Sequence, residues 1–281
     1  MRVAILGANG QIGEQLVRAY GDQQVIPLTR AECDLTDRDC IRSVLTSVQP
    51  ELIVISAAYT DVDGAEANEA EAYAINALAP RWISNEARLL NAGVVYISTD
   101  FVFAGDADQP YDEWSLPSPV SIYGRSKLAG EMEIQAHADQ WWIVRTSWVY
   151  GGAGRNFVNS IRRASTSGKP LTVVDDEVGS PTLANDFANG MRQLTDCNMP
   201  GIYHLCNSGE CSRLEFARAI VEILGLTTEV LPTTSAKYAE NHPTAARRPA
   251  YSALANHAAA ALGVRFRPWR DALTEHLCGP R

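Results

Sequence analysis

The sequence has no apolar run approaching the roughly 18 residues that a membrane-spanning helix needs. Behind Met1, the short apolar run Val3–Leu6 is followed by glycines instead of the apolar region and cleavage site of a signal peptide. Basic residues are in the minority, with 24 Lys and Arg against 33 Asp and Glu and a formal net charge of −9. This charge repels polyanions, so nucleic acid and anionic membrane surfaces are poor candidates as main partners. We therefore expect a cytoplasmic protein, in which a local basic pocket for a small phosphate ligand remains open.

Paired cysteines are missing as well. None of the six cysteines stands in a C-x-x-C pair, and their spacing fits no zinc site. A disulfide framework is not expected in a chain of 281 residues without a secretion signal. We interpret the cysteines as small buried or half-buried thiols and predict no metal site.

Short runs rich in valine and isoleucine alternate with longer amphipathic segments. The runs predict strands buried on both faces at Val3–Leu6, Val25–Leu28, Leu52–Ser56, Val94–Ser98 and Trp142–Thr146. The amphipathic segments predict helices at 11–20, 37–48, 65–91 and 123–136, and further along at 157–164, 212–224 and 269–277. Such alternation predicts an α/β fold with a Rossmann-type doubly wound parallel sheet. We assign residues 1–150 to this nucleotide-binding domain and 151–281 to a smaller C-terminal substrate-binding domain, with segments free to exchange between the lobes.

A glycine-rich loop connects the first predicted strand to the first predicted helix. Its residues are Gly7, Ala8, Asn9, Gly10, Gln11, Ile12 and Gly13. Glycines let the chain turn sharply and let backbone N–H groups approach a pyrophosphate at the positive end of the helix. The spacing is G-x-x-G-x-x-G instead of the usual G-x-G-x-x-G, and a tight turn without a ligand is the alternative. The loop predicts a dinucleotide site.

The end of the second strand should select the cofactor, because an acid there binds a ribose hydroxyl and an arginine pairs with a 2′-phosphate. Arg30 stands at this point, which favours NADPH, and NADH remains open as a second donor. The alternative is that Arg30 is an exposed loop residue. Asp34 and Leu35 follow, and we expect them to flank the adenine.

A Y-x-x-x-K pair, Tyr123 and Lys127, lies at the start of a predicted helix and puts both side chains on one face. A lysine ammonium beside a phenol should lower the pKa of Tyr123 and make it a general acid for a carbonyl that receives hydride. Lys127 would also hold the hydroxyls of the nicotinamide ribose. Thr99 ends the fourth strand, where open α/β sheets bind ligands, and is placed to offer its hydroxyl to the same carbonyl. The alternatives are a chance surface pair and a hydroxyl that satisfies the backbone.

Together these residues resemble the extended short-chain dehydrogenase/reductase superfamily. Longer segments resemble its dTDP-4-dehydrorhamnose reductase family over nearly the whole chain. These segments are 57–63, 98–103, 123–131, 145–150, 179–182 and 246–249. The most specific of them is the run that contains Trp148.

The resemblance implies a role for each matching residue. Thr99, Tyr123 and Lys127 would be the catalytic triad, while Asp100 and Trp148 would contact the sugar. Residues implied for the cofactor near the third strand are Ala58, Tyr59 and Thr60. Residues implied for the nucleotide diphosphate are Asn156, Arg247 and Arg248, because guanidinium groups suit phosphate oxygens.

The chain departs from the family pattern in two places. Phe101 stands where the family usually has tyrosine, which removes one hydroxyl near the substrate and leaves the sugar in question. Some members dimerise through magnesium held by glutamates, but here Gln15 and Asn185 occupy two of those positions and only Glu275 keeps a carboxylate. Magnesium prefers charged oxygens. We therefore expect a monomer without a metal bridge.

The predicted function is the NADPH-dependent reduction of the C4 ketone of a dTDP-linked 4-keto-6-deoxyhexose, giving dTDP-L-rhamnose. One alternative is a sibling ketosugar reductase with another deoxysugar or C4 configuration as its product. The other is a cofactor-binding regulatory subunit without catalysis, as in the related regulatory β subunit of methionine adenosyltransferase. The intact set Thr99, Tyr123 and Lys127 argues against this last interpretation.

Overall fold

A computed structural model describes residues 1–152, 154–166 and 169–279, so the last two residues of the second predicted domain lie outside the described part. Its strands are β1 (Arg2–Leu6), β2 (Gln24–Leu28), β3 (Leu52–Ile55), β4 (Gly93–Thr99), β5 (Trp141–Thr146), β6 (Val149–Tyr150), β7 (Leu171–Val174), β8 (Val178–Gly179), β9 (Thr182–Leu183), β10 (Gly201–His204), β11 (Cys211–Ser212) and β12 (Val230–Thr233). Its α-helices are α1 (Gln11–Ala19), α2 (Arg38–Val48), α3 (Val62–Ala67), α4 (Glu69–Tyr73), α5 (Ala79–Leu89), α6 (Ile122–His137), α7 (Phe157–Ser165), α8 (Ala184–Asp196), α9 (Arg213–Ile223), α10 (Ser235–Asn241), α11 (His257–Ala261) and α12 (Trp269–Cys278). Except for the predicted helix 65–91, the predicted elements end within one residue of these bounds.

Six parallel strands form the central sheet in the order β10-β5-β4-β3-β1-β2. The strand order reverses between β1 and β3, and ligands of doubly wound sheets bind in the crevice at such a switch point. Helices pack on both faces, with α1 and α8 on one and α2, α5 and α6 on the other. The predicted Rossmann-type doubly wound sheet is confirmed.

Strand β2 differs from the prediction of strands buried on both faces. It pairs only with β1, and most of its residues are partly or fully exposed. Pro27 lies within it and has no N–H to donate, which is tolerated at a sheet edge. The apolar run at 25–28 therefore forms an edge strand and not a central one.

The single helix predicted over 65–91 is wrong, because the segment consists of α3, α4, a π-helical turn at Ala74–Leu78 and α5. Asn68 breaks the first part, with φ −126° and ψ 47°. Pro80 follows the wide turn and cannot donate to the carbonyl of Asn76, four residues back. That carbonyl instead accepts a hydrogen bond of 2.7 Å from the Tyr96 hydroxyl of β4. The break thus fixes Asn76 next to the central sheet.

The hydrophobic core on the α1 face of the sheet includes residues beyond position 150. Strand β10 pairs with β5, and α8 packs against α1 through Phe187 and Met191. A separate core around Phe216 joins α7, α9 and α12 with the short strands of the second lobe. The central sheet therefore includes a strand, β10, from beyond the predicted boundary at residue 150. Among the described residues, no helix combines the length and the apolar character needed to cross a bilayer.

Candidate active site

A cavity of about 710 Å³ lies at the carboxyl ends of the sheet strands and extends to the second lobe. Most of the residues predicted from the sequence line it: Gly7, Gly10, Gln11, Ile12, Gly13, Arg30, Asp34, Leu35, Ala58, Thr60, Thr99, Asp100, Tyr123, Lys127, Trp148 and Arg248. Tyr59, Asn156 and Arg247 are outside this lining. The cavity therefore brings together residues from positions 7 to 248 of the chain.

The glycine-rich loop turns tightly between β1 and α1. Gly7 has φ +85°, and a Cβ there would lie 2.7 Å from the backbone nitrogen of Ala57. A Cβ on Gly13 would lie 2.0 Å from the carbonyl oxygen of Gly7. Gly10 precedes α1 without a side-chain hydrogen bond that would cap the helix. The bare start of α1 thus borders the cavity, and this arrangement fits the pyrophosphate of a dinucleotide.

Arg30 lies beyond β2 at the same end of the cavity. Its side chain is 75% exposed, and its Nε lies 3.7 Å from Oδ2 of Asp34. Asp34 in turn accepts hydrogen bonds from the backbone N–H and hydroxyl of Thr36. An exposed ion pair of this length is weak. The guanidinium therefore remains available to a phosphate group.

Tyr123 and Thr99 meet where β4 and α6 approach each other. The hydroxyl of Ser121 caps α6 by accepting from the N–H of Gly124 at 3.1 Å. Tyr123 is buried beside the side chain of Thr99. The Thr99 hydroxyl donates to Oδ1 of Asp100 at 3.0 Å. The single Thr99 proton is thus directed to Asp100, while the Thr99 oxygen accepts from the backbone N–H of Phe101 at 3.2 Å.

Lys127 lies one turn beyond Tyr123 on α6 and is buried. Its Nζ donates to the carbonyl oxygen of Ile97 at 2.7 Å and lies 4.0 Å from the centre of the Tyr96 ring. Burial lowers the pKa of Lys127 to about 7. Burial also raises the pKa of Tyr123 to about 12. The expected lowering of the tyrosine pKa is therefore not found, because desolvation of the phenol is the larger effect.

Asn76 is a site residue that sequence reasoning missed. Its side-chain oxygen accepts from the N–H of Tyr59 at 2.8 Å, and its amide nitrogen donates to the carbonyl oxygen of Tyr59 at 3.1 Å. The same nitrogen donates to the Ser126 hydroxyl at 2.9 Å. Asn76 therefore ties the loop carrying Ala58 and Thr60 to the helix carrying Tyr123. A buried asparagine within an apolar segment was the available signal.

Asp100 is buried, and hydroxyl groups from both lobes donate to it. Its Oδ2 accepts from Ser147 at 3.0 Å and from Ser252 at 2.6 Å, in addition to the bond from Thr99 to Oδ1. Burial raises the pKa of the Asp100 carboxyl, while the three hydroxyl donors oppose this shift. The residue expected to contact the sugar therefore also orients Thr99.

Trp148 lines the second-lobe end of the cavity in a left-handed conformation, with φ +45°. Gly179 makes room for its ring, since a Cβ there would lie 2.4 Å from an indole carbon. The guanidinium of Arg213 stacks on the ring, with its carbon 3.5 Å from the ring centre. Sequence reasoning missed Arg213, whose position at the first turn of α9 is fixed by the capping box of Ser212 and Glu215.

Two arginines lie at this end of the cavity, together with acids that pair with them. Arg213 and Arg248 both line it, and burial lowers the pKa of Arg213 to about 10, with the charge of Arg248 acting in the same direction. Nearby acids, Glu177 and Asp100, oppose the shift. Arg248 is held by Asp63, with Nη2 2.9 Å from Oδ1. Guanidinium groups that line one cavity suit an anion such as a diphosphate.

Of the other residues singled out from the sequence, Asn156, Arg247 and Glu275 do not line the cavity. The Asn156 side chain donates to Oε1 of Gln11 at 2.9 Å and also caps α7, while Arg247 is exposed. Phe101 lines the cavity and meets Tyr123 edge-on, with the ring centres 5.5 Å apart. Glu275 is held by an ion pair with Arg267. Within the described ranges, no group of three or more His, Cys, Asp or Glu side chains could hold a metal ion.

The chain is similar to several proteins of one kind. A family profile described as "RmlD substrate binding domain" matches residues 1–279. The spore coat polysaccharide biosynthesis protein SpsK of Bacillus subtilis is 41% identical, with 98% of this chain and 96% of that protein covered. A dTDP-4-dehydrorhamnose reductase of Mycolicibacterium smegmatis is 39% identical, with coverage of 98% and 84%. The crystal structure of dTDP-4-dehydrorhamnose reductase from Bacillus anthracis in complex with NADP has a TM-score of 0.94 and 36% identity, with 99% of both chains covered.

Proposed function

The chain belongs to the dTDP-4-dehydrorhamnose reductase family, and we propose that it reduces the C4 ketone of dTDP-4-dehydro-L-rhamnose to give dTDP-L-rhamnose, with NADPH as the reductant. One observation carries this proposal. Thr99, Tyr123 and Lys127 line the same cavity as the glycine-rich loop and the Arg213–Arg248 pair. This shared cavity supports a proton donor between a dinucleotide site and an anion site, as the reduction of a nucleotide-linked ketone requires.

NADPH, when bound, supplies the hydride. The bare start of α1 and the close-packed glycines would hold its pyrophosphate, and Arg30 would pair with its 2′-phosphate. Ala58 and Thr60 would border it near β3, while Lys127 would reach the ribose of the nicotinamide. Tyr59 would contribute through the backbone groups that Asn76 fixes. NADH remains a second donor that the assay below tests.

Tyr123 would supply the proton to the carbonyl oxygen. With a pKa raised to about 12, its phenol is protonated at neutral pH and can act as a donor. Asp100 directs the Thr99 proton, and the Thr99 side chain lies beside the phenol. A charged Lys127 would stabilise the phenolate that forms. Thr99 could donate to the carbonyl itself only by giving up its bond to Asp100.

The sugar nucleotide would occupy the second-lobe end of the cavity. Trp148 offers an apolar face to the sugar ring, and Arg213 and Arg248 would bind the diphosphate. We further propose that the chain acts as a cytoplasmic monomer. The lack of carboxylates at Gln15 and Asn185 supports this, as does the pairing of Glu275 with Arg267.

The test is oxidation of NADPH and, in parallel, NADH with dTDP-4-dehydro-L-rhamnose, using wild type and Tyr123→Phe. We expect Tyr123→Phe to lower turnover by about 10²–10⁴-fold, because general acid catalysis is lost, while NADP⁺ binding is retained. The exposed Tyr238→Phe is the matched control and should keep full activity. Undiminished turnover in Tyr123→Phe would refute the mechanism, and equal use of NADH would leave Arg30 without its role.

Phe101 supports a second candidate, a sibling ketosugar reductase. Its ring lines the cavity beside Tyr123 and offers no hydroxyl to the substrate. This difference would act on the choice of sugar and not on the chemistry at Tyr123. NMR of the product determines the configuration at C4 and decides between the two. Absent turnover together with copurification of a larger enzyme would favour a regulatory subunit.

A further inference from the structure

A buried ion pair lies under the site and takes no part in the mechanism described so far. Glu131 of α6 is 1% exposed, and Arg145 of β5 is 2% exposed. Arg145 donates to both carboxylate oxygens of Glu131, from Nε at 2.9 Å and from Nη2 at 2.7 Å. Ser98 also donates to Glu131, at 2.5 Å. The carboxylate is therefore fixed in position by two separate strands.

Glu131 lies four residues after Lys127 on the same helix, so the two side chains are neighbours on one face. They bind consecutive residues of β4, since Lys127 donates to the carbonyl of Ile97 and Glu131 accepts from Ser98. Thr99 follows directly. Two side chains of α6, Lys127 and Glu131, are thus hydrogen-bonded to the end of β4 next to Thr99.

The carboxylate of Glu131 balances part of the buried positive charge around it. Lys127 and Arg145 are both buried cations, and Glu131 is the carboxylate next to them. Burial lowers the pKa of Lys127, and the charge of Glu131 acts in the opposite direction. Tyr96, Tyr123 and Asp100, on the elements around Lys127, are also buried, and their charged forms are anionic.

We propose that Glu131 is a positioning residue for the reduction, whose carboxylate, clamped by Arg145 and Ser98, keeps the ammonium of Lys127 charged beside Tyr123. Without this charge, Lys127 would lose its proton at a lower pH and could not stabilise the phenolate. The effect is transmitted through Lys127, because Glu131 does not line the cavity. The catalytic part of this proposal rests on the proposed reductase function.

The charge on Lys127 can be measured without turnover, because the chain has only three lysines, Lys127, Lys169 and Lys237. In protein labelled with ¹³C at lysine Cε, Lys127→Met assigns the Lys127 signal, and its titration gives the pKa directly. We expect Glu131→Gln to lower the midpoint by about one to two pH units, from the Coulomb energy of neighbouring charges at an effective dielectric constant near 20. Glu131→Asp keeps the charge and should restore most of the shift. Glu133→Gln, on the same helix as Glu131, is the matched control, since it removes a partly exposed ion pair with Arg81 of α5.

The pH profile of kcat links the charge to the reaction. In Glu131→Gln, the loss of activity at rising pH should move to lower pH by the same amount as the NMR midpoint. An unmoved NMR midpoint would overturn the proposal, and so would a moved midpoint with an unmoved kcat profile. If wild type shows no turnover, the reductase function fails, while the NMR titration still decides whether Glu131 keeps Lys127 charged. If Glu131→Gln does not fold, Glu131→Gln with Arg145→Met removes both buried charges and should still show a downward shift, smaller because loss of the Arg145 cation offsets part of it; no shift would overturn the proposal.

Discussion

Gly13→Ala tests whether the close packing of the glycine-rich loop is required for cofactor binding. The new Cβ would lie 2.0 Å from the carbonyl oxygen of Gly7 and 2.9 Å from the Cα of Ala8. Both are backbone atoms, so no side-chain rotation can relieve the contact. Ordinary contacts begin at 3.4 Å, and the loop must therefore move by more than an ångström. Overpacking of this kind costs about 1–3 kcal/mol.

Two measurements follow from this displacement. Thermal unfolding without cofactor should occur roughly 2–4 °C lower for each kcal/mol lost. The displaced N–H groups would also lose bonds to a charged phosphate, worth about 1.5–3 kcal/mol each, so the Kd for NADP⁺ should rise by about tenfold or more. Gly154→Ala is the control, because nothing lies within 4 Å of its Cβ, and Gly10→Ala, at 3.2 Å from the Gly7 oxygen, should be intermediate. Wild-type stability and affinity in Gly13→Ala would refute the argument.

Two further predictions concern Arg213 and His204. In steady-state kinetics, Arg213→Leu should raise the KM for the sugar nucleotide by about tenfold or more, because charged hydrogen bonds to phosphate are lost. Arg213→Lys keeps the charge and should raise the KM less. Equal KM values for Arg213→Leu and wild type would contradict this prediction. Burial lowers the pKa of His204 from 6.5 to about 3, with the charge of Arg145 as a second cause. As pH falls, the unfolded chain protonates His204 before the folded chain does, so the free energy of unfolding decreases from pH 6.5 toward pH 3. Measured by urea unfolding, its decrease between pH 7 and pH 5 should be about 2 kcal/mol smaller in His204→Gln than in wild type. An equal drop in both proteins would show that His204 is not responsible.

Much of the site follows from one rule, that the carboxyl ends of parallel strands lie at one edge of a sheet. This rule places the loop at Gly7, Arg30, Ala58 and Thr99 along one cavity before any contact is known. The short apolar runs predict the central strands well, because a strand buried on both faces is apolar along its whole length. An apolar run does not show whether its strand lies at the sheet edge, so the exposure of β2 could not be predicted.

The residues that the sequence did not reveal owe their roles to distant contacts. Ser252 lies 152 positions from the Asp100 that it binds, and no local pattern links them. Arg213 is an ordinary first-turn arginine until the fold sets it on Trp148. Asn76 lies in a segment that continues a helical pattern, and Pro80, which leaves its carbonyl free for Tyr96, is the one local signal of a break.

Contacts between the lobes lie directly beside the reacting groups. Ser252 binds Asp100, which directs the Thr99 proton, while Asn156 binds Gln11 at the glycine-rich loop. The second lobe therefore contacts groups that we expect to act in the reaction. The Asp100 carboxylate accepts three hydroxyls and keeps one further acceptor position, on Oδ1, for a sugar hydroxyl. We therefore expect recognition of the sugar and orientation of Thr99 to be coupled through this buried carboxylate.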